Sequence, residues 1–288
     1  MVIARIEAID MTRSSTMIPI RTRLSTSLVV LLGVLSAAHS WAADDGRREQ
    51  FIDIGHARLN AFIWEAPGSE FETIIALPGS GSDVTRYQYI APQLAATGYR
   101  VVALNQRGIM GSSGTLHGLT LHDYAADVAA VVDALGVERV QMVGWALGNR
   151  ISRSVATDYP EKVASVTLIA AGGLVTPNTQ PGELGALLGQ PDLPVSEKIR
   201  LARRTLFSPQ SSDALVQEFV AKLNYWDEGR AAQVAARQAT DVEEYAAGGS
   251  SPMLIIQGLD DLTAPPQNGE IMKQRYGDRI TLVNLEGA

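Results

Sequence analysis

The chain has 288 residues, 24 Lys and Arg against 31 Asp and Glu, 46% apolar residues and no cysteine. A formal charge of −7 argues against a nucleic-acid partner, whose footprint would be a basic face. The absence of cysteine excludes disulfides, thiolate metal sites and a thiol nucleophile.

Arg21 and Arg23 precede an uncharged stretch from Leu24 to Ala43, most apolar over Leu28–Ala38. Ser40-Trp41-Ala42 then fits the small-x-small pattern before a cut between Ala42 and Ala43. This order predicts a secretory signal over 1–42 and a periplasmic or secreted protein with no stable membrane span once the signal is cleaved. The alternative is an uncleaved membrane anchor, for which the apolar run is short against the roughly 20 residues a bilayer requires. Residues 1–42 carry four of the basic residues and two of the acidic ones, so the remainder is more acidic still.

Phe51–Gly55 and Arg58–Trp64 predict an antiparallel pair turning at Gly55-His56. After Pro67-Gly68 come short apolar runs: Thr73–Leu77, Arg100–Leu104, Val140–Val143, Val163–Ala170, Met253–Ile256 and Ile280–Leu285. Continuous apolarity over so few residues suits parallel strands buried on both faces. Residues 119–135 predict a helix, with Thr120 and Asp123 as its capping pair and Leu121, Ala125, Val128, Val132 and Leu135 on one face. Strand and helix alternation gives an α/β fold, a mostly parallel sheet with helices on both faces. The alternation stops over 174–249, a stretch with five prolines and helical patterns near Asp213–Tyr225 and Ala231–Tyr245. We read it as a helical cap inserted into a core of 48–173 and 250–288.

Val140–Val143 runs into Gly144-Trp145-Ala146-Leu147-Gly148 and then a helical stretch. A strand, a Gly-x-x-x-Gly turn and a helix form the frame of a nucleophile elbow, in which glycines serve a strained backbone and close packing. Leu77-Pro78-Gly79-Ser80-Gly81-Ser82, Asn105-Gln106-Arg107-Gly108, Gly258-Leu259-Asp260-Asp261 and Leu285-Glu286-Gly287-Ala288 each follow a strand.

That succession resembles the α/β-hydrolase superfamily from about residue 48 to 288, in a divergent branch. The resemblance implies an esterase- or lipase-like fold, a small-molecule substrate, and no cofactor or metal. It assigns the acid to Asp261 and backbone oxyanion donors to Ser80 and Leu147. Pro78 and Asn105 replace the family's usual His and Asp. Two departures bear on function. Ala146 holds the nucleophile position, and a methyl group cannot attack a carbonyl. The sequence given ends at Ala288, where the family continues with Gly-His, and His39, His56, His117 and His122 all precede Asp261. The family places its His last in the order Ser, Asp, His. Two functions stand: a hydrolase-like protein for a small ester or related substrate without covalent serine catalysis, or an inactive small-molecule-binding pseudoenzyme.

Several polar residues carry two readings. Asp261 orients a His or closes a turn. Ser80, Ser82 and Asp83 are polar groups at the mouth or a loop that satisfies its own backbone. Ser112 and Arg107 suit turn stabilisation and anchoring, and His117 and His122 suit surface or capping roles. Tyr225, Trp226 and Tyr245 contact an apolar ligand or pack the cap.

Overall fold

A computed structural model describes residues 46–68, 71–179 and 182–288. The signal over 1–42, with His39, lies outside the described residues. The chain opens with the hairpin β1 (Arg48–Asp53) and β2 (Arg58–Trp64), paired from Arg48↔Ile63 to Asp53↔Arg58. Gly55 takes the positive φ of the turn, and Ile54 N–H donates to the Ala57 carbonyl at 2.9 Å. The first strand therefore ends before Gly55 and starts earlier than its apolar pattern alone indicates. Among the described residues β3 (Glu72–Leu77), β4 (Tyr99–Leu104), β5 (Val140–Trp145), β6 (Val163–Ile169), β7 (Met253–Gly258) and β8 (Ile280–Leu285) complete one sheet. Its order is β1-β2-β4-β3-β5-β6-β7-β8. The β1–β2 and β2–β4 pairs are antiparallel and the remaining neighbours are parallel.

The central strands are buried on both faces because helices cover both. Ile75 and Leu77 of β3 face one apolar cluster with α2 (Leu121–Ala134) and α3 (Leu147–Asp158), through Val128, Val132, Ile151 and Val155. Ile74 and Ala76 face the opposite cluster, covered by α1 (Ala91–Ala96) through Ala91 and Leu94. Helix α2 starts where its sequence places it. The Thr120 N–H donates to the Asp123 carboxylate at 2.7 Å, and Asp123 N–H donates to Thr120 Oγ1 at 3.4 Å.

Between β6 and β7 come α4 (Glu183–Gly189), α5 (Val195–Leu206), α6 (Asp213–Ala221), α7 (Asp227–Ala239) and α8 (Val242–Tyr245). Leu187, Leu201, Phe207, Val216, Phe219 and Val220 give this segment its own core. Phe207 and Phe219 meet edge to face at 5.2 Å. The pattern over 231–245 is two helices, broken at Thr240, whose φ of −115° and ψ of 123° are extended. Helix α9 (Gln267–Tyr276) leads to β8. Among the described residues no helix is long and apolar enough to cross a membrane.

Candidate active site

Strand β5 leaves the sheet at Trp145, and α3 begins at Leu147. The single residue between them, Ala146, has φ 51° and ψ −108°, a region costly for any residue with a Cβ. Close packing on both sides enforces the turn. A Cβ on Gly144 would stand 2.4 Å from the Gly148 carbonyl carbon, and one on Gly148 would stand 2.0 Å from the Leu77 carbonyl oxygen. Both elbow glycines are thus required by contact. Side chains hold the helix behind the turn. Asn149 Nδ2 donates to the Ala170 carbonyl at 2.9 Å, and Arg153 Nη2 donates to Asn149 Oδ1 at 2.8 Å and to the Gly172 carbonyl at 2.6 Å. Burial pushes the Arg153 guanidinium down to about 10. Asn149, an unusual neighbour for an elbow, ties α3 to the chain leaving β6.

The loop after β3 lies against the elbow: a Cβ on Gly79 would stand 3.3 Å from the Ala146 methyl carbon. Ser80, Ala146, Leu147 and Asp261 all border one cavity of about 930 Å³. The Leu147 N–H is the first of α3 and has no intrahelical acceptor. The Ser80 hydroxyl oxygen is buried without a hydrogen-bond partner. Asp261 follows β7, and its Oδ1 accepts from Thr263 N–H and Ala264 N–H, both at 2.8 Å. Burial raises its carboxyl above the usual carboxylate range, against the pull of those two N–H donors. The residue therefore closes a turn while lining the cavity. Asp260 is exposed, and its N–H donates to the Ala288 carbonyl at 2.8 Å.

Among the described residues no histidine borders this cavity. His56 Nε2 lies 2.8 Å from Asp127 Oδ1, beside the Arg107–Asp127 ion pair, in which Arg107 Nε donates at 2.7 Å and Nη2 at 2.6 Å. His122 bridges Asp158 at 2.7 Å and Glu244 at 3.2 Å, and His117 is exposed. Asn105 is a structural group too. It accepts from Val84 N–H at 3.0 Å and donates to Asn60 Oδ1 at 2.8 Å, while Ser112 Oγ donates to its carbonyl at 3.3 Å.

How the cap meets the core has no local signature. Asp83 caps the turn Val84–Tyr87 and also accepts from Asn224 Nδ2 at 2.9 Å and Trp226 Nε1 at 3.3 Å. Gln233 on α7 accepts from the Gly81 N–H at 2.8 Å through Oε1. Trp226 is thus a latch to the core, and Tyr245 is buried under the Arg153 guanidinium, 5.0 Å from its ring centroid. Neither lines the cavity, nor does Tyr225. Among the described residues five arginines do: Arg150, Arg203, Arg204, Arg230 and Arg237. Only Arg150 had a local signal, four residues beyond Ala146 and one helical turn along α3.

A parallel sheet with one reversed strand near its edge, a strained turn between β5 and α3, and a capped cavity above that turn define a hydrolase-type framework. The profile of the alpha/beta hydrolase fold family matches residues 73–284, and the chain belongs to that family. It is 26% identical over 236 residues to a 2-hydroxy-6-oxononadienedioate/2-hydroxy-6-oxononatrienedioate hydrolase of Klebsiella pneumoniae, covering 76% of this chain and 80% of that protein. It is 33% identical over 143 residues to a dihydrolipoyllysine-residue acetyltransferase component of the acetoin cleaving system of Cupriavidus necator. That match covers 48% of this chain and spans 37% of the relative. A crystal structure of a hydrolase from Pseudomonas aeruginosa superposes with a TM-score of 0.67 at 23% identity, covering 82% of this chain and 89% of that one.

Proposed function

We propose that this chain uses the hydrolase framework to hold a small ester or related molecule in its cavity without forming an acyl-serine. The observation that carries the reading is Ala146. Its backbone adopts the strained conformation of a nucleophile elbow, yet its side chain ends at a methyl carbon. Covalent acyl transfer needs a nucleophile, a base within hydrogen-bond reach and an orienting acid. Of these, the residues bordering the cavity include an acid, Asp261. The backbone N–H groups of Ser80 and Leu147 are suited to a carbonyl or carboxylate oxygen placed over Ala146, since such donors do not depend on the side chain beside them.

The test is intact-mass measurement after exposure to a fluorophosphonate, together with pre-steady-state hydrolysis of a p-nitrophenyl ester. The expected result is an unchanged mass and no initial burst. A phosphonyl adduct, or burst kinetics abolished by the reagent, would overturn the reading. Slow linear hydrolysis without a burst is compatible with it, because oxyanion donors and binding alone sustain roughly 10³-fold catalysis in triad-deleted enzymes.

A further inference from the structure

The cavity is lined by arginines in a protein that is acidic as a whole. Two of the five are neutralised by acids of the cap segment. Arg203 pairs with Asp213 and donates to the Ser211 carbonyl at 3.1 Å, and Arg204 Nε lies 3.1 Å from Glu183 Oε2. The other three differ. Among the described residues no carboxylate lies within 4.0 Å of Arg150, Arg230 or Arg237. Arg150 donates to the Tyr245 hydroxyl at 3.0 Å, a neutral partner. The Arg230 Nε is buried with no hydrogen-bond partner. Arg237 is held below the ordinary guanidinium range by lost solvation and by the charge of Arg150. The two acids in the wall, Asp260 and Asp261, follow β7 and pair with none of these guanidiniums.

The placement of these side chains is built into the fold. Arg230 and Arg237 stand seven residues apart on α7 and so share one helical face. The Arg230 stem lies over Gly81: its Cδ is 2.8 Å from where a Cβ on that glycine would be. Its Nη1 is 3.0 Å from the corresponding point on Gly189, and its Nη2 3.8 Å from that on Gly185, one turn away on α4. Two glycines therefore leave room for the guanidinium. Arg150 comes from the core, on the helix that starts at the elbow, near enough for its charge to act on Arg237. Unpaired cations gathered around a cavity repel one another and lose hydration, a cost an anion would reverse. Guanidinium groups donate in a planar fork that matches carboxylate and phosphate oxygens.

We propose that Arg150, Arg230 and Arg237 form a binding site for an oxyanion, carboxylate or phosphate, carried by a small organic ligand whose remaining part lies toward Ala146. This rests on the reading of the cavity as a small-molecule site. The field of three cations around the cavity also draws anions from solution in spite of the protein's negative charge.

Calorimetric titration of the chain at low salt tests it with three probes: monomethyl adipate, its neutral diester dimethyl adipate, and monobutyl phosphate. The monoanion is expected to bind at least about tenfold more tightly than the diester, as charge-assisted hydrogen bonds do. The Arg230→Gln/Arg237→Gln pair should lose that advantage while binding the diester unchanged, and Arg237→Lys should keep part of it. A melting curve checks that each variant is folded. Preference for the phosphate or for the adipate monoester identifies which oxyanion the site takes. Equal affinity for the monoester and diester, or full retention by the folded double variant, would overturn the oxyanion site alone. Failure of all three probes to bind would overturn the small-molecule reading with it.

Discussion

Ala146 keeps a backbone conformation whose usual beneficiary, a hydroxyl oxygen, is absent. An L-residue at positive φ costs about 1–2 kcal/mol, yet the turn persists because Gly144, Gly148 and Leu77 leave the chain no other path. A β-branched side chain there meets the same strain with a stiffer χ1. Ala146→Val is therefore expected to destabilise by roughly 2–3 kcal/mol, while Ala146→Gly stays within about 1 kcal/mol, both measured by urea unfolding. This turn was readable from sequence because its requirements are local: two glycines four residues apart after an apolar run. The arginine cluster was not. Arg150 and Arg237 are distant in sequence, and nothing near either one announces the other. Asp83 was legible only in part, for a similar reason. That its loop satisfies its own backbone is readable from sequence and holds at Thr85 N–H, but its acceptance from Asn224 and Trp226 is not.

At the scale of elements, the periodicity of 119–135 delivered α2 almost residue for residue, because a capping box marks its start. The pattern over 231–245 did not reveal its break. Thr240 Oγ1 donates to the Ala236 carbonyl and accepts from the Leu121 N–H at 2.9 Å, so a contact with another helix decides where α7 ends. The prolines of 174–212 concealed α4 and α5, although Pro194 sits at the N-cap position of α5, where proline is tolerated. One junction between elements carries a pH signal. His122 on α2 meets Asp158 at the end of α3 and Glu244 on α8, and the hydrogen bond that its ring donates to Asp158 leads the causes that raise its pKa. A raised folded value means stability that is fully present below the unfolded value near 6.5 and is lost as pH rises through the folded one. The stability difference between the native chain and His122→Asn should thus shrink as pH rises above about 6.5, by less than about 1 kcal/mol given the solvent exposure of the pair. Thermal melts across that range would show it, and a difference growing with pH would contradict the assignment.

At the scale of the molecule, the order β1-β2-β4-β3-β5-β6-β7-β8 brings the loops after β3, β5 and β7 to one end of the sheet, and the cap closes over them. The succession of apolar strands and helices made this architecture legible, since binary patterning is repeated over many elements and tolerates local errors. The cavity depends instead on how five cap helices settle on the core, a matter of side-chain contacts between segments far apart in the chain. Those contacts include the hydrogen bond from the Gly81 amide to Gln233. That bond makes a backbone proton in the core into a reporter for the cap. The Gly81 amide can exchange with solvent deuterium only when Gln233 lets go, so its exchange rate measures how often α7 lifts. Saturating ligand should slow that single proton more than amides in β3, and Gln233→Ala should free it while leaving β3 protected. A glycine that carries no side chain of its own thus becomes the place where the hold of α7 on the core can be timed.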